Sequence, residues 1–176
     1  MPCAAVPRPI SSNPSPALYL GLMSGTSLDG VDALLVDFAD PHCPQFLGHH
    51  HQPFPEDLKN GLLALCASGP DELERAWRAS GNLSQCYAAA VAQLLWTCHL
   101  TPSMVLALGC HGQTVRHRPE QGYSIQLVNG ALLAELTGID QAEISRIERG
   151  QSNPTTATLG ALTRALGVDV KLVPTA

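Results

Sequence analysis

Two stretches of the chain concentrate groups that handle anions and sugars. The first is Gly21-Leu22-Met23-Ser24-Gly25-Thr26-Ser27-Leu28-Asp29-Gly30-Val31-Asp32, which sets glycines, hydroxyls and carboxylates in a bend between two apolar runs. Glycines let a backbone fold so that several N–H groups converge on one anion. Thr26 and Ser27 add neutral donors, and Asp29 could hold Mg²⁺ directly or through its water. The GK[ST] ending of a P-loop is absent, which excludes a Walker-type NTPase. By residue type alone, a phosphate loop and a plain Gly-Ser hairpin turn fit equally well. The second stretch is Gly109-Cys110-His111-Gly112-Gln113-Thr114-Val115-Arg116-His117. It follows an apolar run, where open α/β sheets present their ligand groups. His, Gln, Thr and Arg there could hydrogen-bond a sugar from several sides; an ordinary polar loop is the plain alternative.

Elements must bring these stretches into place. Residues 17–22 and 31–38 read as two buried strands, and the eight residues between them favour a β-hairpin. Residues 46–51 suit a third strand. The first turn after Pro55 is acidic, and Leu58, Leu62, Leu63 and Leu65 follow at helical spacing. Gly69-Pro70 closes that helix. A long helical stretch then runs from Asp71 to about His99, with a break or kink expected at Gly81-Asn82 and with Trp77 and Trp96 expected as core or half-buried residues. Residues 104–108 read as a buried strand, 109–122 as a polar loop, 123–127 as a strand and 131–136 as a short helix. That order predicts an α/β layer architecture with a mixed sheet.

Composition bounds the function. The chain has 176 residues, with 10 Lys+Arg against 15 Asp+Glu for a net charge of −5. Aromatics are 5%, too few for a surface of stacked bases, and the acidity opposes a nonspecific polyanion binder. No signal peptide or membrane span is visible, so a cytoplasmic location without membrane attachment is expected. Residues 1–16 hold five prolines and read as a disordered leader. The six cysteines form no CxxC pair and are expected to be small buried hydrophobes. His49-His50-His51 lacks ligand spacing for a metal and suits a solvated or edge strand.

Taken together, residues 21–32, Gly-Cys-His-Gly-Gln-Thr-Val-Arg-His-Arg-Pro at 109–119 and Tyr-Ser-Ile-Gln-Leu-Val-Asn-Gly-Ala-Leu-Leu-Ala-Glu-Leu-Thr-Gly-Ile-Asp at 123–140 resemble anhydro-N-acetylmuramic acid kinase. The resemblance covers about residues 17–140. It implies the N-terminal ribonuclease H-like lobe of the sugar-kinase/Hsp70/actin superfamily. It also implies ATP and Mg²⁺ as cofactors, and a reaction that opens and phosphorylates an anhydro amino sugar in peptidoglycan recycling. Carried over residue by residue, it makes Gly25, Thr26, Ser27, Leu28, Asp29, Gly30, Val31 and Asp32 the first phosphate loop, with Asp29 the candidate Mg²⁺ ligand. His111, Gly112, Gln113 and Thr114 fall near the sugar. The resemblance stops after Asp140, before the segment that carries the family's catalytic aspartate and its second lobe. The expectation is a truncated kinase lobe over 17–139, inactive alone, with an exposed sheet face that favours a homo-oligomer.

The tail has a different grammar. Asp140 and Glu143 form a capping box, and a helix over 141–149 stops at Gly150. From about Ala131 onward the chain resembles the helix-turn-helix of phage-repressor-like (Cro-type) regulators, which makes 140–176 a small all-α partial regulator domain. Gln141, Ala142, Ser145, Arg146 and Arg149 would line its recognition helix, and Gln and Arg are the side chains that read adenine and guanine in the major groove. The tail holds four basic and four acidic residues, so its electrostatic drive toward DNA is weak. Residues 132–140 satisfy both resemblances, which points to a fusion across a stretch the two parents shared. A DNA-binding regulator or antitoxin is the alternative function.

Overall fold

Period-two burial builds the sheet. The computed structural model describes residues 15–40 and 43–139. In β1 (Leu18–Met23) every second residue, Leu18, Leu20 and Leu22, is buried and the others are exposed. Strand β2 (Gly30–Asp37) returns antiparallel, pairing Leu20 with Leu35 and Leu22 with Ala33, and it buries Val31, Ala33 and Leu35 completely. Strand β3 (Gln45–Pro53) pairs antiparallel with β2 along the sheet edge.

Two helices follow. Helix α1 (Glu56–Leu65) begins with two acids facing its positive end and buries Leu58, Leu62 and Leu65. Helix α2 (Glu72–Thr97) carries a long buried stripe that includes Leu83, Tyr87, Val91 and Leu94. The crossover they make lets β4 (Val105–Cys110) lie parallel to β1. The sheet order is β3-β2-β1-β4, mixed as the sequence predicts. The helical stripes and the Leu18, Leu20, Leu22, Val31, Ala33 and Leu35 face form one core. On the opposite face Tyr19, Met23, Leu34 and Phe38 are exposed beside an apolar cavity of about 370 Å³. Tyr19 and Phe38 meet there edge to face at 5.6 Å.

The structure corrects four expectations. Residues 109–122 are not a loop throughout: β5 (Gln113–Arg118) pairs antiparallel with β6 (Tyr123–Leu127) as a separate two-stranded sheet. The strand was hidden because its buried face begins with a polar residue, Gln113, before Val115. No break occurs at Gly81-Asn82, since the buried stripe continues through Ser80, Leu83 and Ser84 and holds the helix together. Trp77 and Trp96 are 70% and 73% exposed, on the side of α2 away from that stripe. Cys66 is exposed, whereas Cys86 is buried and Cys43, Cys98 and Cys110 are half-buried.

Helix α3 (Gly130–Thr137) ends the described part, capped by the Asn129 side chain, which accepts from the Leu132 N–H at 3.1 Å. It ends at Gly138 with φ of 65°, the left-handed stop that glycine allows. The expected leader over 1–16 lies almost wholly outside the described residues, as do the helix expected over 141–149 and the regulator domain expected over 140–176. The chain divides into Met1–Gln141 and Ala142–Ala176.

The unbroken α2 gives a direct test. A methyl group at Gly81 would meet nothing within 4 Å. Gly81→Ala is therefore expected to stabilise the protein by about 0.5–1 kcal/mol through helix propensity and reduced unfolded-state freedom. Urea denaturation measures this, and a destabilised variant would restore the break.

Candidate phosphate and sugar site

Parallel pairing places the two chemical stretches side by side. Leu22 of β1 and Cys110 of β4 are register partners, so residues 24–29 and 111–112 leave the same edge of the sheet together. That edge, at the carboxyl ends of parallel strands, is where α/β sheets hold ligands. The His111 N–H donates to the Leu22 carbonyl at 3.1 Å and continues the sheet into the loops.

Buried hydrogen bonds then lock the loops to each other and to α2. Ser24 is 4% exposed and Tyr87 fully buried, with their oxygens 2.6 Å apart. Ser24 Oγ also donates to the Gly112 carbonyl at 3.4 Å, so its one proton is spent there and Tyr87 is the donor to Ser24. Burial pushes the Tyr87 phenol well above its ordinary value, which keeps that donor protonated. Burial likewise raises the neighbouring Cys110 thiol to about 11, so it is no nucleophile at neutral pH. Ser84, one turn earlier on α2, donates to the Asn129 carbonyl and accepts its N–H, each at 3.1 Å. Gly112 has φ of 74°, and a Cβ there would lie 2.8 Å from the Leu127 carbonyl oxygen, so glycine is required.

Within the first loop, the Leu28 N–H closes a turn onto the Gly25 carbonyl at 3.4 Å. Leu28 adopts φ of 54°, which costs an L-residue about 1–2 kcal/mol. Its side chain is 5% exposed, and burying a leucine gains about 1.5–3 kcal/mol, enough to hold the strained turn. Val31 is likewise core, so neither side chain faces solvent. Gly30 lies tight against β3, where a Cβ would collide with the Gln52 carbonyl oxygen. The exposed groups are Thr26, Ser27 and Asp29. Ser27 Oγ donates to Asp29 Oδ1 at 2.7 Å, and this bond lowers the Asp29 pKa. Asp32 is turned toward β3, where His49 Nε2 and His51 Nδ1 lie 2.8 and 3.1 Å from its Oδ1. The His49 bond is the main cause of its lowered pKa. The edge position expected for the histidines is borne out, and their grip on Asp32 is new.

In the second loop, His111 Nδ1 lies 3.1 Å from the Gly112 carbonyl and Nε2 lies 3.0 Å from Gln126 Nε2. A carbonyl accepts and an amide nitrogen donates, so one neutral tautomer, protonated at Nδ1, satisfies both. Gln113 is fully buried and its Nε2 donates to the Gly25 carbonyl at 3.1 Å. Thr114 is half-buried. Arg116 points elsewhere, forming a 2.7 Å ion pair with Glu72 at the start of α2. Tyr87, Ser84 and Gln126 were missed from sequence. Tyr87 and Ser84 fall three apart in the apolar stripe of α2, a polar pair whose only signal is that spacing. The tail residues Gln141, Ala142, Ser145, Arg146 and Arg149 lie outside the described residues. Among the described residues no group of three His, Cys, Asp or Glu could hold a metal ion. The single carboxylate of Asp29 still suits Mg²⁺, which keeps its waters and takes one or two carboxylates plus substrate phosphates.

The Tyr87–Ser24 bond is measurable. Tyr87→Phe keeps the ring and removes the donor, and is expected to cost about 1–2 kcal/mol in denaturant unfolding. An unchanged midpoint would show that the loop is not anchored there.

Comparison with known proteins identifies the family. A family model described as anhydro-N-acetylmuramic acid kinase matches residues 17–148. The chain is 54% identical over 123 residues to the anhydro-N-acetylmuramic acid kinase of Nitrosomonas europaea, covering 69% of this chain and 34% of that one. It is 50% identical over 123 residues to that of Pseudomonas putida, covering 70% and 33%. For Bordetella petrii the identity is 54% over 123 residues, covering 70% and 32%. The chain thus spans about a third of the length of the curated relatives it matches. A second family model, described as a helix-turn-helix domain, matches residues 128–176 and overlaps the first over 128–148. With its two loops meeting at the end of a mixed sheet and 132 of its residues matched, the chain belongs to the anhydro-N-acetylmuramic acid kinase family.

Proposed function

We propose that residues 17–139 form a ribonuclease H-like lobe of the sugar-kinase superfamily that binds the phosphates of ATP and an anhydro amino sugar. The observation that carries this reading is the adjoining of the two loops at the carboxyl ends of β1 and β4. Gly25, Thr26, Ser27 and Asp29 present backbone amides, hydroxyls and a carboxylate to the phosphates. Leu28, Gly30 and Val31 shape the bend from within, and Asp32 braces it against β3. His111, Gly112, Gln113 and Thr114 form the sugar side, where the second N–H and the carbonyl oxygen of the Gln126 amide, which His111 holds in place, offer a donor and an acceptor to hydroxyls. Asp29 would hold Mg²⁺, which supplies charge neutralisation of the phosphates when bound.

This reading assigns binding to these residues. Saturating Mg·ATP is expected to raise the melting temperature by several degrees, since ligand at about 100 times its Kd adds about 2.7 kcal/mol. Asp29→Asn should remove the Mg²⁺ dependence of the shift. No shift with ATP would overturn the reading. The exposed sheet face also supports a homo-oligomer as part of it.

A second reading is supported by the helix-turn-helix match over 128–176. In it the tail binds DNA through Gln141, Ala142, Ser145, Arg146 and Arg149. A gel shift against the upstream region of its own gene tests this, and Arg146→Ala is expected to abolish the shifted band. Absence of any shift with the unsubstituted chain removes the second reading. Among the described residues no helix is long and apolar enough to cross a membrane.

A further inference from the structure

Gln113 sits on the sugar side of the site, yet its strongest tie runs to the phosphate side. Its side chain is fully buried, and Nε2 lies 3.1 Å from the Gly25 carbonyl and 3.3 Å from the Thr114 carbonyl. Both partners are acceptors, which fixes the nitrogen as the atom that faces them. Oε1 is buried with no partner. An unpaired buried acceptor costs about 1–3 kcal/mol, so this glutamine is an expensive way to fill space. An apolar side chain of the same shape would fill it without that cost.

The Gly25 carbonyl belongs to the same peptide plane as the Thr26 N–H. A trans peptide points its oxygen and its hydrogen in opposite directions. Holding the oxygen toward Gln113 therefore holds the Thr26 N–H pointing away from it. The Leu28 N–H meets the same carbonyl from within the turn at 3.4 Å, a longer bond that by itself holds the plane weakly. Were the plane to rotate, a carbonyl oxygen would face the anion and repel it.

We infer that Gln113 is a positioning residue for the phosphate loop: it orients the Gly25–Thr26 peptide so that the Thr26 amide faces the phosphate. The inference rests on the phosphate-binding reading and adds that the sugar-side loop sets the shape of the nucleotide side.

The test uses the full chain with Gln113→Met, which keeps length and volume and removes the donor, and Gln113→Glu, which sets a carboxylate against the carbonyl. In the ligand-free protein, the Thr26 amide resonance in a ¹⁵N correlation spectrum is expected to shift in Gln113→Met. Calorimetric titration with Mg·ATP is expected to show affinity about tenfold weaker in Gln113→Met and weaker again in Gln113→Glu. The denaturation midpoint of Gln113→Met should not fall below that of the unsubstituted chain, whereas a merely structural role would lower it. An unmoved Thr26 resonance overturns the inference whether or not ATP binds. Equal ATP affinity in all three proteins overturns it while leaving the phosphate reading intact. Absence of ATP binding to the unsubstituted chain removes the phosphate reading, and the inference with it.

Discussion

Tyr87 donates to Ser24, and Ser24 to the Gly112 carbonyl, all in the dry interior. This short relay is the constraint on which the site depends. It ties three segments remote in sequence: the middle of α2, the loop after β1 and the loop after β4. Hydrogen bonds in a low-dielectric interior are electrostatically stronger than in water, and leaving any member unpaired is costly. The loops therefore cannot move independently of the helix. Ser84 repeats the device one turn away by clamping both backbone groups of Asn129, which sets where α3 begins. Helix α2 thus serves the sheet with its leucines and the loops with its hydroxyls, along one stripe.

Glycine and strain complete the arrangement. Gly112 is needed because a side chain would collide with the backbone of β6, and Gly30 because one would collide with β3. These close approaches bring main-chain groups together where side chains would otherwise hold them apart. Leu28 accepts a left-handed conformation because its buried side chain outweighs the local cost. A loop held this way is already organised by its own packing, and in general a preorganised loop loses less binding energy in ordering.

Strong periodicity made β1, β2, α1 and most of α2 readable from the sequence, since each buries a continuous apolar set. The glycine-rich bend and the His-Gly-Gln-Thr stretch were legible as chemistry, but their adjacency was not. It follows from the parallel pairing of β1 and β4 across a crossover of two helices, and local spacing carries no record of that. Strand β5 escaped notice because Gln113, the residue that ties the loops, occupies a core position that patterning assigns to an apolar side chain. The Trp77 and Trp96 faces were misread for the converse reason: size suggested burial, whereas the stripe through Leu83, Tyr87 and Leu94 leaves both tryptophans outside. Polar residues in the core and apolar ones outside it are where pattern and fold part company.

Helix α3 shows how one segment can match two families. Residues 128–148 satisfy both family models. Among the described residues of this stretch the buried positions are Leu133, Thr137 and Ile139, while Leu136 is 48% exposed. A helix of small and branched apolar residues with a capping asparagine and a glycine stop meets the needs of many small α-helical contacts, because those needs are spacing and volume. The kinase fold selects one face of α3 through α2 and the Ser84 clamp. Shared pattern over 128–148 therefore reflects shared packing physics, and the bonds that tie the start of α3 to the rest of the fold run from the Asn129 backbone to the Ser84 side chain.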